Sequence, residues 1–333
     1  MGGVRRLLAA AHRAPAAPAG GRRRTECVHH AGRGDGVRGD DGRTDPERRL
    51  DASLRVADWA AAPSGAVRDT VAAPSGVLAR LSLGPADGSR VLLVPGATGS
   101  KEDFGLMLPL LTDAGYRAES YDLAGQYESH AAGPENLHPP LDRYTLELFV
   151  DDLLAVIRAG SAPVHLLGYS FAGTVASVVA ARHPELVESL TLMSSPPLAG
   201  QSFRGFKVLG PFSGPMSAHV GAGLLIWGVR MNFNRSPRER LAFVRERFAL
   251  TRRSSVDDII ELMKHVPDLD AELRASGVPV LIAVGKGDIW PVAAHRAYAE
   301  RIRANIVVFD TGHTPNETAP HQLTAALLEH FRR

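Results

Sequence analysis

The chain predicts an α/β protein: a mostly parallel sheet with helices on both faces and a helical lid. Three observations carry that expectation. From about residue 66 onward, short β-rich apolar runs alternate with helical patterns, as happens when a parallel sheet is covered on both sides. The alternation stops after Met193 and resumes at Val278, so the stretch between reads as a helical insertion over one end of the sheet. Residues 1–60 show neither helical nor strand periodicity and are dense in Gly, Pro, Arg and Ala, which predicts a disordered tail. Residues 61–333 are then one domain, with 195–270 as its lid.

The elements follow in order. Residues 66–71 and 77–83 read as an antiparallel pair and 91–94 as a fully buried strand. A helix is expected over 103–114, a strand at 116–121, a helix at 146–158, a strand at 164–167, a helix at 171–182 and a strand at 189–193. In the lid, Gly- and Pro-rich chain leads to helical patterns at 218–231, 237–249 and 256–264. Strand 278–284, helix 292–303, strand 305–309 and helix 320–331 complete the chain. The apolar run 224–229 is too short to cross a membrane, and no run of about 20 apolar residues occurs elsewhere.

Composition removes several function classes. The net charge of +2 conceals an asymmetry, because residues 1–56 hold 12 Arg against 7 acidic residues. Those arginines are interspersed with Asp, Gly, Ala and Pro and have no aromatic partners for base stacking, so a solvated tail is expected and no nucleic-acid partner. Cys27 is the only cysteine and lies in that tail, which removes intramolecular disulfides and thiol catalysis. The apolar residues 7–11 end at His12 and Arg13, too soon for a signal-peptide core, so a cytoplasmic protein without stable membrane insertion is expected. His29 and His30 lack metal-ligand company, and no metal or organic cofactor is expected.

The strongest chemical signal is VHLLGYSFAG, residues 164–173, a strand running through a sharp turn into a helix. That is the setting of a nucleophile elbow, G-x-S-x-G, in which small flanking residues make room for a strained serine. Gly168 fits the pattern, Ala172 stands in the second glycine's place, and Gly173 follows. The competing reading makes Ser170 a helix N-cap.

A serine hydroxyl is a weak nucleophile and needs a base that a third group orients; behind such an elbow the chain order is Ser, acid, His. Both partners are present in that order. VPVLIAVGKGDIWP, residues 278–291, is an apolar strand that ends beside Asp288, and VVFDTGHTP, residues 307–315, repeats the arrangement with His313. Catalytic groups of open α/β sheets collect at that carboxyl edge. Asp310 is a rival acid, but it is too close in sequence to His313 to approach the far imidazole nitrogen. Taken singly, Asp288 could form only an Asx-turn and His313 could be a surface histidine. VLLVPGATGS, residues 91–100, puts a glycine turn after an early strand, where the backbone N–H of Ala97 would join that of Phe171 as oxyanion donors. Its glycine spacing excludes a phosphate-binding loop.

These residues resemble the α/β-hydrolase family over roughly 66–333. Two further stretches carry the resemblance. DLAGQYES, residues 122–129, is similar to the family's D-x-R-G-x-G-x-S, and GHTPNETAP, residues 312–320, to its G-H-x-P-x-x-E-x-P. Pro95 and Ala124 depart from the residues usual there, His and Arg. The resemblance implies the α/β-hydrolase fold and a serine esterase with catalytic Ser170, Asp288 and His313. The substrate would be a small molecule with an apolar acyl group, held by Tyr169, Trp227 and Trp290, and the protein a monomer or homodimer. The lid residues Phe203, Phe206, Phe212, Leu224, Leu225 and Met231 would add to that pocket or form the lid's own core. The same triad serves thioesterases, lactonases, carbon-carbon bond hydrolases and cofactor-free perhydrolases, and a non-catalytic ligand binder is a further alternative.

Overall fold

The computed structural model describes residues 46–205 and 237–333. Its strands are β1 Val67–Ala73, β2 Gly76–Leu83, β3 Arg90–Val94, β4 Arg117–Tyr121, β5 Val164–Tyr169, β6 Val187–Met193, β7 Val280–Gly285 and β8 Asn305–Phe309. They form one sheet in the order β1-β2-β4-β3-β5-β6-β7-β8. The β1–β2 and β2–β4 pairs are antiparallel, and β3 to β8 run parallel.

Because successive strand residues point to opposite faces, each central strand feeds two cores. On β3, Val91 and Leu93 enter one cluster while Leu92 and Val94 enter the other; on β7, Leu281 and Ala283 oppose Val280 and Ile282. The first cluster is closed by α2 (Met107–Asp113) and α10 (Pro320–His330), the second by α3 (Leu146–Arg158), α4 (Phe171–Arg182), α7 (Asp270–Ser276) and α8 (Val292–Ile302). Every residue of β3, β5 and β7 is buried, and each Val or Leu so removed from water contributes about 1.5–3 kcal/mol. That doubly covered centre is what holds the strand ends, and the loops they carry, in fixed positions.

The lid appears in part. A 3-10 turn covers Ser202–Gly205, and the helices α5 (Arg238–Leu250) and α6 (Arg253–Leu262) fall where helical patterns are expected at 237–249 and 256–264. The helix expected over 218–231, with Trp227, Phe206, Phe212, Leu224, Leu225 and Met231, lies outside the described residues. No helix among the described residues is long and apolar enough to cross a membrane.

Two boundaries differ from expectation. The tail expected over 1–60 includes an ordered part: Pro46–Ser53 forms helix α1, packed on α10, while 1–45 lie outside the described residues. None of the α1 residues is buried, so no apolar periodicity announces it. Its anchor is Asp51, whose carboxylate accepts from the backbone N–H of His321 and Gln322 and from both side chains, capping α10 from outside. The helix expected over 103–114 is broken: a 3-10 turn covers Lys101–Phe104 and α2 starts only after Gly105. Gly115, with φ at +90°, then turns the chain into β4.

Candidate active site

Ser170 sits between β5 and α4 with φ 53° and ψ −122°, a conformation most residues avoid. Neighbouring contacts enforce it. The Ser170 N–H donates to the Met193 carbonyl at 2.9 Å, and the Gly173 N–H to the Ser170 carbonyl at 2.9 Å. A Cβ on Gly168 would stand 2.5 Å from the Ala172 carbonyl oxygen, and one on Gly173 1.8 Å from Ser195 Oγ. The crowded glycines are therefore 168 and 173, and the motif's second position tolerates the methyl of Ala172. Ser170 does stand at the N-terminus of α4, but its side chain makes no capping bond. Its hydroxyl instead faces His313.

The Asp288 and His313 loops leave adjacent strands and are tied to each other. Lys286 N–H donates to the Phe309 carbonyl and Gly287 N–H to the Thr311 carbonyl, both at 2.8 Å. Gly285 is obligatory at this crossing, because a Cβ there would lie 2.0 Å from the Gly312 carbonyl oxygen. The result is one line of contacts. His313 Nδ1 is 3.1 Å from Asp288 Oδ2, and His313 Nε2 is 3.4 Å from Ser170 Oγ. The second distance is at the long end of hydrogen bonding, as is common in a site without substrate. Asp288 also accepts the Trp290 N–H at 2.9 Å on Oδ1, so the Asx-turn and the contact with His313 coexist in one carboxylate. Asp310, the rival acid, is 60% exposed and pairs with Arg48 and Lys286.

Asp288 is 1% exposed. Burial, the largest influence on it, opposes the ionised form. Polar groups of His295, His313 and Ser194, with the charge of His313, outweigh burial and hold the carboxyl well below the usual carboxylate range. His295, on α8, was not singled out in the sequence; its Nε2 stands 3.8 Å from Asp288 Oδ1, so the carboxylate lies between two imidazoles. Nothing in a helix such as VAAHRAYAERI distinguishes that histidine from a surface one.

The loop after β3 lies against the elbow. A Cβ on Gly96 would be 3.0 Å from Ser170 Cβ and 3.1 Å from the Tyr169 carbonyl oxygen. Ala97 is the next residue in that loop, and Phe171 supplies the first N–H of α4, one of the donors that a helix start leaves free. Rings flank the imidazole of His313, Tyr169 at 5.4 Å and Trp290 at 5.9 Å between centroids. Trp290 is fully buried and donates its indole N–H to the Ser202 carbonyl, so it packs behind His313. Burial, aided by the carboxylates of Glu317, Asp103 and Asp288, raises the Tyr169 phenol well above its ordinary value and keeps it neutral. Trp227 lies outside the described residues. Among the described residues no group of three or more His, Cys, Asp or Glu side chains is arranged to hold a metal ion.

A sequence model described as "Alpha/beta hydrolase family" matches residues 91–327, which takes in Ala97, Ser170, Asp288 and His313. The chain belongs to the α/β-hydrolase family. Among α/β-hydrolase-like solved structures, a hydrolase from Pseudomonas aeruginosa PA01 superposes with a TM-score of 0.64 at 20% identity, covering 81% of this chain and 100% of that one. The enol-lactonase from Burkholderia xenovorans LB400 gives 0.64 at 20% identity, covering 80% and 100%. At such identities the likeness is one of fold. "Putative carbamate hydrolase RutD" of Variovorax paradoxus (strain S110) is 34% identical over 114 residues, 34% of this chain and 40% of that protein, so less than half of that relative is matched.

Proposed function

We propose that this α/β-hydrolase cleaves an ester-like bond, a carboxylic ester, thioester or lactone, through Ser170, His313 and Asp288 and an acyl-enzyme. The observation that supports this most is the unbroken line from Ser170 Oγ through both nitrogens of His313 to Asp288 Oδ2, with the serine held in a strained turn. His313 Nε2 takes the Ser170 proton as Oγ attacks the acyl carbon. Asp288 keeps Nδ1 protonated and opposes the positive charge that the imidazole acquires. The N–H groups of Ala97 and Phe171 receive the oxyanion. His313 then returns the proton to the leaving alcohol or thiol, and a water activated by the same imidazole releases the acid.

An apolar acyl group suits the rings of Tyr169 and, from the lid, Trp227; Trp290 would act from behind His313. The enol-lactonase neighbour is consistent with this bond class, since a lactone is a cyclic ester. Hydrolysis of short p-nitrophenyl esters and labelling by a fluorophosphonate test the reading. Both are expected for the wild type, and both should vanish in Ser170→Ala. Undiminished ester turnover in that variant would overturn it.

A further inference from the structure

One buried guanidinium joins the two loops that flank Ser170, and it comes from the lid. Arg240 on α5 donates through Nη2 to Asp103 Oδ1 at 2.7 Å and through Nε to Glu317 Oε2 at 3.2 Å, with a second contact from Nη2 to Glu317 Oε1. Asp103 belongs to the loop that carries Gly96 and Ala97: its N–H donates to the Ser100 carbonyl at 2.9 Å and its Oδ2 accepts from the Ser100 N–H at 3.2 Å. Glu317 lies on α9 (Pro315–Thr318), which begins two residues after His313. Arg247, two turns further along α5, adds a second cation to Asp103 and reaches Ser100 Oγ at 3.3 Å. The side chains of Arg240, Arg247 and Asp103 are 5%, 5% and 3% exposed, and that of Glu317 13%. Two cations face two anions away from solvent, and the Arg240 guanidinium is held over the rings of Trp59 and Phe243 at 5.0 and 5.5 Å.

We infer that Arg240 is a positioning residue, through which lid helix α5 sets the oxyanion loop and the His313 loop against each other around Ser170. The inference rests on the triad reading above. A planar guanidinium with donors in a rigid fork fixes both distance and angle between the two carboxylates, which the single point charge of a lysine cannot do. The geometry it controls is the one that matters for acyl transfer, the separation between the Ala97 N–H, Ser170 Oγ and His313 Nε2. A misplacement of about 1 Å among such groups costs about a hundredfold in rate. Asn316, which donates to the Asp103 carbonyl at 2.8 Å, links the same two loops without the lid, so the fold can survive loss of Arg240 while the register of the loops relaxes.

The test uses the full chain with Arg240→Met, Arg240→Lys and Glu317→Gln, and reads three quantities: the fluorophosphonate labelling rate of the folded protein, kcat and KM for p-nitrophenyl acetate, and the melting midpoint. The amide of Glu317→Gln keeps the shape of the carboxylate it replaces while weakening its pairing with Arg240. The expected result is that Arg240→Met slows labelling and lowers kcat by about ten- to a hundredfold with KM for this small ester nearly unchanged, and that Arg240→Lys recovers only part of the loss. Glu317→Gln slows labelling with little change in the melting midpoint and adds nothing when combined with Arg240→Met. A purely structural role would lower the melting midpoint and the amount of reactive protein but not the rate at which the folded fraction reacts. Labelling by Arg240→Met at the wild-type rate would overturn the inference alone; should that variant not fold, wild-type labelling of Glu317→Gln would do so. Absence of labelling in the wild type would sink the triad reading and this inference with it.

Discussion

Replacing Asp288 by asparagine isolates the electrostatic part of the proposed mechanism. The amide has nearly the shape of the carboxylate and can keep the bond from Trp290 N–H, so packing is preserved. What disappears is a buried negative charge 3.1 Å from His313 Nδ1. When Ser170 attacks, the imidazole becomes a cation, and at an effective dielectric constant of about 20 a unit pair at that separation is worth about 5 kcal/mol. At about 1.4 kcal/mol per decade the expected loss is about 10³- to 10⁴-fold in kcat/KM. It agrees with the drop of about 10⁴ that follows the same change in the serine-protease template. The amide also offers N–H where His313 needs an acceptor, which favours the wrong tautomer and works in the same direction. The assay is kcat/KM for a p-nitrophenyl ester, with Asp310→Asn as the control, since Asp310 is exposed and engaged with Arg48 and Lys286. Asp310→Asn should retain wild-type kinetics. A loss smaller than tenfold in Asp288→Asn, or a large one in Asp310→Asn, would refute the assignment of the acid.

Two stability predictions follow from contacts outside the site. Asp51→Ala removes four hydrogen bonds at the start of α10 and should cost about 1–2 kcal/mol, as for a lost N-cap, lowering the melting midpoint by about 2–5 °C; a shift below 1 °C would mean that α1 adds nothing to the fold. Burial, reinforced by nearby His330, lowers His165 to about 4, so its contribution to stability is complete above about pH 6.5 and is lost as pH falls towards 4, by about 3 kcal/mol. Burial lifts Asp152 to about 6 against the hydrogen bonds from Ser75, the opposite sign, so stability falls as pH rises from about 4 to about 6, again by about 3 kcal/mol. The two slopes offset in the wild type: urea midpoints at pH 7 and 4.5 should show His165→Gln gaining stability on acidification and Asp152→Asn losing it, and parallel pH profiles for both variants would contradict the signs.

How far the sequence discloses the molecule depends on whether a feature is encoded locally. Ser170, Asp288 and His313 each follow an apolar run that can only be a buried strand, and a parallel sheet with covered faces brings the ends of such strands to one edge. Order along the chain was therefore enough to anticipate their meeting. The glycines at 168, 173 and 285 leave the same trace, because backbone crowding admits no side chain there. Helix α1 leaves none. PERRLDAS buries no apolar side chain of its own, and what orders it is a carboxylate docked onto backbone amides some 270 positions away; its composition matches the tail before it, so order begins ahead of residue 60 with no local signal.

The lid's hold on the site is hidden for a related reason. Arg240 and Arg247 lie in RERLAFVRERFAL, where charged residues spread over more than half of the helix circumference and any one of them could face water. Their carboxylate partners are 77 to 144 residues distant in sequence. An Arg whose charge is to be buried must meet carboxylates already in place, since an unpaired charge at such depth would cost several kcal/mol. Those carboxylates, Asp103 and Glu317, stand just after the two motifs already legible, the glycine turn at 96–99 and the His313 loop. Glu317 lies within the stretch GHTPNETAP, visible in the sequence as part of a pattern but without a stated purpose. In the fold it receives Arg240 from the lid. A charged residue just beyond such a loop is thus better searched for a long-range counter-ion than counted as surface, and the counter-ion is best sought in the segment that interrupts the strand-helix alternation.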